Sequence, residues 1–134
     1  MNREELKNIL PHREPMLLLD EAHLEEDGAA VGTYTVKGDE FFLKGHFPEE
    51  PVVPGVILCE IMAQTCAALF KRSQTPMYAG LDNVRFRMPV RPGDTVRFVC
   101  RIIKSRGAFY FARGEGFVGE KMCIKGEFSF AVSG

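Results

Sequence analysis

Apolar positions follow different periods along this chain, and the changes of period divide it into elements. From Val56 to Phe70 they leave no polar stripe: Val56, Ile57, Leu58, Cys59, Ile61, Met62, Ala63, Cys66, Ala67, Ala68, Leu69 and Phe70, with neither Gly nor Pro before Arg72. A helix that is apolar all round is one buried inside its domain. Pro54-Gly55 starts it, because Pro suits the first turn, where its missing N–H would have no intrahelical partner. Residues 95–104 alternate instead, with Val96, Phe98, Cys100 and Ile102 on one face, as a half-buried strand does. Residues 108–118 and 121–132 read as two further strands parted by Gly119, and 77–86 as a strand interrupted by Gly80. Earlier, residues 15–20 read as a short apolar strand and 29–37 as its hairpin partner across the polar turn 25–28. Residues 3–10 read as a short amphipathic helix stopped by Pro11, and Phe41-Phe42-Leu43 as a turn capped by Asp39. One all-apolar helix with five or six strands, most of them after it, predicts an α+β domain spanning 1–134, an antiparallel sheet curled around a central helix. Val99 and Ile103 put apolar residues on the outer face as well, which points to oligomerisation or to loops folded over that face.

Composition changes this picture little, and charge changes it more. With 46% hydrophobic and 26% charged residues in 134, the chain is that of an ordinary globular domain. The start, MNREELKNIL, lacks the apolar core of a secretory signal, so the expected location is cytoplasmic. The central helix is too short and too acid-marked to span a bilayer. The net charge of −1 hides an asymmetry: residues 1–67 hold 13 acids and 5 bases, residues 68–134 hold 5 acids and 12 bases. Such a split suggests a docking surface for an acidic partner. Nucleic acid is the rival, but the bases are scattered along strands without a recognisable module. Cys59, Cys66, Cys100 and Cys123 have no CxxC spacing and read as buried free thiols, and His12 and His23 read as surface or structural histidines, so no metal site is expected.

Chemistry concentrates between Gly45 and Gln64, in GHFPEEPVVPGVILCEIMAQ. Pro48, Pro51 and Pro54 brace an extended segment that carries His46 into the helix. On that helix Glu60 and Gln64, at i and i+4, are the one polar patch, and a buried carboxyl needs a partner or a proton. The motif resembles that of the β-hydroxyacyl-ACP dehydratases of the FabZ type, small hot-dog-fold enzymes of fatty-acid synthesis with a His in Gly-His-Phe-Pro and a Glu fourteen residues on. His46 and Glu60 match residue by residue, and LPHREPMLLLD and FRMPVRPGD extend the likeness over most of the chain. Glu49-Glu50 depart from the family pattern, which has smaller or less acidic residues there.

The resemblance implies dehydration of (3R)-3-hydroxyacyl chains carried on acyl carrier protein (ACP) to trans-2-enoyl-ACP. Such a reaction needs a base for the C2 proton, an acid for the departing C3 hydroxyl, and donors for negative charge on the thioester oxygen. Neutral His46 supplies the base; burial is expected to raise the Glu60 pKa and keep it a proton donor. The backbone N–H of Gly55, at the positive end of the helix dipole, is placed to bind the carbonyl oxygen. Gln64 and Phe86 are candidate substrate contacts, and Arg85, Arg87, Arg91, Arg97, Arg101, Lys104 and Arg106 the candidate set for docking the acidic carrier. Proton transfer of this kind asks for no cofactor. The resemblance also implies a homodimer, or a trimer of such dimers, whose sites take the His from one protomer and the Glu from its partner. The same residues could isomerise the double bond, Glu60 could instead direct water at a thioester, and a non-catalytic acyl-binding protein is the third alternative. A nucleophilic Cys59 is a weaker reading, since neighbours on a helix point about 100° apart.

Overall fold

The computed structural model describes residues 1–44, 49–70 and 75–133. Among them, six strands form one antiparallel sheet: β1 (Glu21–Leu24), β2 (Ala30–Thr35), β3 (Thr75–Phe86), β4 (Thr95–Arg106), β5 (Phe109–Val118) and β6 (Lys121–Ser133). Their spatial order is β1-β2-β4-β5-β6-β3. Two α-helices accompany them, α1 (Arg3–Leu6) and α2 (Gly55–Ala67), and α2 packs against β2, β4 and β5. This is the sheet curled around a central helix that the hydrophobic pattern predicts. The alternation in β4 is the clearest case. Val96, Phe98 and Cys100 are fully buried beneath α2, while Arg97 and Arg101 face out. No helix of the described residues is long and apolar enough to cross a membrane.

Two glycines let helix and sheet approach. A Cβ on Gly32 of β2 would come within 2.5 Å of Thr65 Oγ1 and 2.8 Å of Leu19 Cδ2, and one on Gly114 of β5 within 2.5 Å of Met62 Sδ. Side chains at either place would lift α2 off the sheet. Isoleucine 61 and Met62 are wholly buried in that contact, and Cys100 Sγ lies 3.4 Å from the Met62 carbonyl as a weak donor.

The N-terminal segment departs from expectation. Residues 15–20 are not a strand: Leu17, Leu18 and Leu19 are all buried, so no face is left for solvent, and the backbone is irregular. Side chains replace the ladder. Arg3 donates to the Leu17 carbonyl at 2.6 Å and to Asp20 Oδ1 at 2.7 Å, and Gln64 takes the Leu18 N–H at 3.0 Å. Helix α1 is one turn long, closed by an Asn2–Glu5 capping box, and the chain beyond it winds through looser turns to Leu10. Their carbonyls go to Arg13, whose guanidinium meets those of Lys7, Leu10 and His12. Phe41–Leu43 forms a 3₁₀ turn whose N-cap residue is Glu40, not Asp39, and it makes no side-chain cap, because the Glu40 carboxylate is already occupied by the Lys37 and Gly38 N–H groups and the Tyr34 hydroxyl. Helix α2 ends at Ala67; the N–H groups of Ala68, Leu69 and Phe70 turn to carbonyls three residues back.

At the far edge β3 pairs with β6 alone. It is bent by two irregularities, the second containing Asn83 at φ 53°, and it exposes Met77, Tyr78, Leu81 and Phe86.

Candidate active site

Glu60 lies in the second turn of α2 among apolar residues, with Gln64 one turn on as its polar neighbour, and its side chain is a quarter exposed. Two nitrogens converge on one of its oxygens. Gln64 Nε2 donates to Oε2 at 2.9 Å, and His12 Nε2 lies 3.3 Å from the same atom. Gln64 is in turn fixed from both ends: Nε2 also donates to the Met16 carbonyl at 2.6 Å, and its oxygen accepts the Leu18 N–H. It is fully buried. The amide of Gln64, expected as a substrate contact, is spent among the described residues on holding Glu60 to the 16–18 segment.

The electrostatics of Glu60 also differ from expectation. Desolvation does push the carboxyl up, but the hydrogen bonds from His12 and Gln64 and the Coulombic pull of His12 together outweigh it, and the group sits below its ordinary value. Burial alone would have given the opposite sign. Cys59 is buried with its thiol pushed up by desolvation, which disfavours a thiolate nucleophile. Its carbonyl accepts the Tyr78 hydroxyl at 2.6 Å, a bond that ties β3 to α2 one residue before Glu60.

His46 lies outside the described residues, as do Gly45, Phe47 and Pro48. At the start of α2, Gly55 and Phe86 meet. A Cβ on Gly55 would fall 2.6 Å from the Phe86 ring, so this first helical residue has to be glycine while the ring covers it. Both line an open apolar cleft of about 480 Å³ with Val52, Val56, Arg87 and Met88. The Ile57 and Leu58 N–H groups of the first turn meet the Pro54 carbonyl, which leaves those of Gly55 and Val56 as the donors at the cleft wall.

The seven candidate docking residues are all exposed but are not gathered in one patch. Arg87 lines the cleft and Arg91 follows it on the turn closed by Asp94. Arg97, Arg101 and Lys104 lie on β4, with Arg106 at its end, and two strands, β5 and β6, separate them from β3 and its Arg85. There Arg97 stacks over Phe117, Lys104 over Phe111, and Arg101 pairs with Asp27 at 2.8 Å.

Sequence reasoning missed His12. Its signal was the position itself: it stands inside LPHREPMLLLD, one of the stretches that carry the family resemblance, beside the Arg13 that shapes the segment. His23, the other histidine set aside, is exposed beside Glu25 at 3.1 Å.

Comparison with known proteins covers nearly the whole chain. The model of the ApeI-like family, ApeI dehydratase, matches residues 22–127. The 3-hydroxyacyl-[acyl-carrier-protein] dehydratase FabZ of Clostridium perfringens is 42% identical over 98% of this chain and 99% of its own length. That of Moorella thermoacetica is 41% identical over 98% and 96%. Among solved structures, the ApeI:P dehydratase heterocomplex of Xenorhabdus doucetiae superposes with a TM-score of 0.81 over 96% of this chain and 91% of that one, at 20% identity. The PaaI protein of E. coli gives 0.67 over 83% and 81%, at 18% identity. At such identities the structures speak for the fold alone, the hot-dog fold, whereas the near-complete match to the curated relatives speaks for the family: the chain belongs to the FabZ 3-hydroxyacyl-[acyl-carrier-protein] dehydratases.

Proposed function

We propose that the chain dehydrates (3R)-3-hydroxyacyl-ACP to trans-2-enoyl-ACP in fatty-acid biosynthesis, with His46 as base and Glu60 as acid. The observation that carries this is Glu60 itself, the single carboxyl on a largely apolar helix, held by two nitrogen donors in a chain 42% identical to a FabZ dehydratase over almost its full length. His46 takes the proton at C2 as the C2–C3 double bond forms. Glu60 gives its proton to the hydroxyl leaving C3, and water departs. The lowered Glu60 pKa means that the donor form has to be restored on binding, when an acyl chain displaces water and adds desolvation that pushes the carboxyl back up. The Gly55 N–H stabilises charge on the thioester oxygen, and the apolar cleft with Phe86 receives the acyl chain. Of the basic residues, Arg87 and Arg91 border that cleft and are the narrower docking set for the acidic carrier.

The minimal active unit is a homodimer in which His46 of one protomer serves Glu60 of the other. The unpaired β3 edge, with Met77, Leu81 and Phe86 exposed along it, supports a second copy of the chain there.

One observation favours a second reading. An ionised Glu60 is the form that would activate water against a thioester, the hydrolytic alternative. Incubation with 3-hydroxyacyl-ACPs of several lengths, with products identified by mass spectrometry and double-bond position, separates the two. Enoyl-ACP formed by the wild type and lost about 10²–10⁴-fold in Glu60→Gln and His46→Ala is the expected result. Free acid in place of enoyl-ACP, or a near-normal rate in Glu60→Gln, would overturn the assignment.

A further inference from the structure

Resting on the reading of Glu60 as the acid, we infer that His12 is a positioning residue: with Gln64 it occupies Glu60 Oε2, directs the acidic proton to Oε1, and stabilises the carboxylate left after that proton is given away. The argument begins with the two oxygens. Oε2 has Gln64 Nε2 at 2.9 Å and His12 Nε2 at 3.3 Å, whereas Oε1 meets no hydrogen-bond partner among the described residues. An oxygen that receives two N–H donors is a poor seat for a proton, so the protonated carboxyl carries its hydrogen on Oε1.

The Gln64 amide cannot turn away from this arrangement. Its oxygen is held by the Leu18 N–H and its nitrogen by the Met16 carbonyl, so the remaining N–H points at Glu60 by construction. The His12 ring is directed in the opposite way, by lack of choice. Nδ1 is buried and has no hydrogen-bond partner among the described residues, so Nε2 on Glu60 is the ring's one polar contact. A ring present only for packing would be served better by Leu or Phe, which bury no orphan nitrogen. The backbone that places it is fixed by Pro11 before it and by Arg13 after it, whose guanidinium donates to the His12 carbonyl at 2.7 Å and to that of Leu10 at 3.0 Å.

Proton and electron bookkeeping is then complete. The C2–H bond breaks, its proton going to the base and its electron pair to the new C2–C3 bond. The C3–O bond breaks with its pair on oxygen, and the Oε1 proton completes the water molecule. Negative charge left on Glu60 is met at once by the two N–H groups on Oε2. A donor to the charged form lowers the carboxyl pKa, the direction this site shows, and makes Glu60 the stronger acid as the hydroxyl leaves. Among the described residues, the other groups around the pair whose titration is moved are Tyr78, raised far above neutrality by burial, and the Cys59 thiol, also raised by burial. Both stay uncharged near neutral pH and His46 is common to the wild type and the variants, so a difference in the Glu60 titration between them reports on His12.

The test compares His12→Leu, which removes the donor, with His12→Gln, which keeps an N–H at similar reach. Turnover on 3-hydroxyacyl-ACP is measured beside the Glu60 carboxyl titration, followed by NMR of carboxyl-¹³C-labelled glutamate and assigned by the signal missing from Glu60→Gln. In His12→Leu, kcat should fall about 10- to 100-fold, a part of the full general-acid factor, with KM within about 2-fold, and the Glu60 titration should move to higher pH. His12→Gln should restore both toward wild type. An unshifted Glu60 titration, or kcat within about 2-fold of wild type in His12→Leu, overturns the inference. So does a His12→Gln that keeps wild-type thermal stability yet loses as much kcat as His12→Leu. If His12→Leu does not fold, His12→Gln and its titration decide alone. Full activity in Glu60→Gln would instead defeat the acid assignment on which this rests.

Discussion

Gln64 is where fold and site meet, and Gln64→Leu perturbs both by a calculable amount. The substitution keeps bulk and leaves three groups without their partner: the Leu18 N–H, the Met16 carbonyl and Glu60 Oε2. Leu18 is 4% exposed, so its N–H cannot rehydrate, and a buried donor left unmade costs about 1–3 kcal/mol. Met16 is an exposed residue, so its carbonyl can turn to water and adds less than about 1 kcal/mol. Glu60 keeps His12 and some solvent, which limits its share. Leucine recovers part of the sum by burying apolar surface, leaving a net loss of about 1–3 kcal/mol. In urea, with a slope of about 1.5–2 kcal/mol/M for a domain of this size, the unfolding midpoint should drop by about 0.5–2 M at matched protein concentration. Activity in the absence of denaturant should fall with it, because the carboxyl loses one of two donors. A midpoint within about 0.3 M of wild type would refute the reasoning, since no buried N–H could then have been left unpaired.

Two other predictions concern partners. If sites are shared across a two-fold axis, co-refolding His46→Ala with Glu60→Gln makes about half the dimers hybrids, each with one intact site, and activity should return to about a quarter of wild type. Chain exchange is confirmed with a mass tag, and confirmed hybrids no more active than their parents would reject the shared site. Reversing Arg87 and Arg91 to Glu should weaken turnover of ACP-bound substrate while leaving a short pantetheine substrate almost unchanged, and equal loss on both would show that the charges act on the site rather than on the carrier.

The helix and its sheet were legible because each carries a period that nothing else imitates. Twelve apolar residues with no polar stripe admit only a central helix, and Val96, Phe98 and Cys100 alternate as one buried face. Glu60 was legible for the same reason, as a carboxyl where none belongs. Leu17-Leu18-Leu19 was misread because an apolar run buried on all sides has no period, so strand and irregular core segment look alike. His12 escaped because its partner stands 48 residues away and only folding brings them together. With it went the sign of the Glu60 shift, which depends on those donors rather than on burial.

The strand order has a consequence for the chain during its synthesis. Strand β3 is made before β4 and β5, yet it pairs with β6, which follows both in the chain. At about 5–20 residues per second, roughly 2–10 s separate the emergence of Phe86 from that of residue 133. Through that interval both edges of a strand bearing Met77, Leu81 and Phe86 lack a partner within the chain. The nascent protein is therefore most open to misassociation there, along the strand that carries these three side chains.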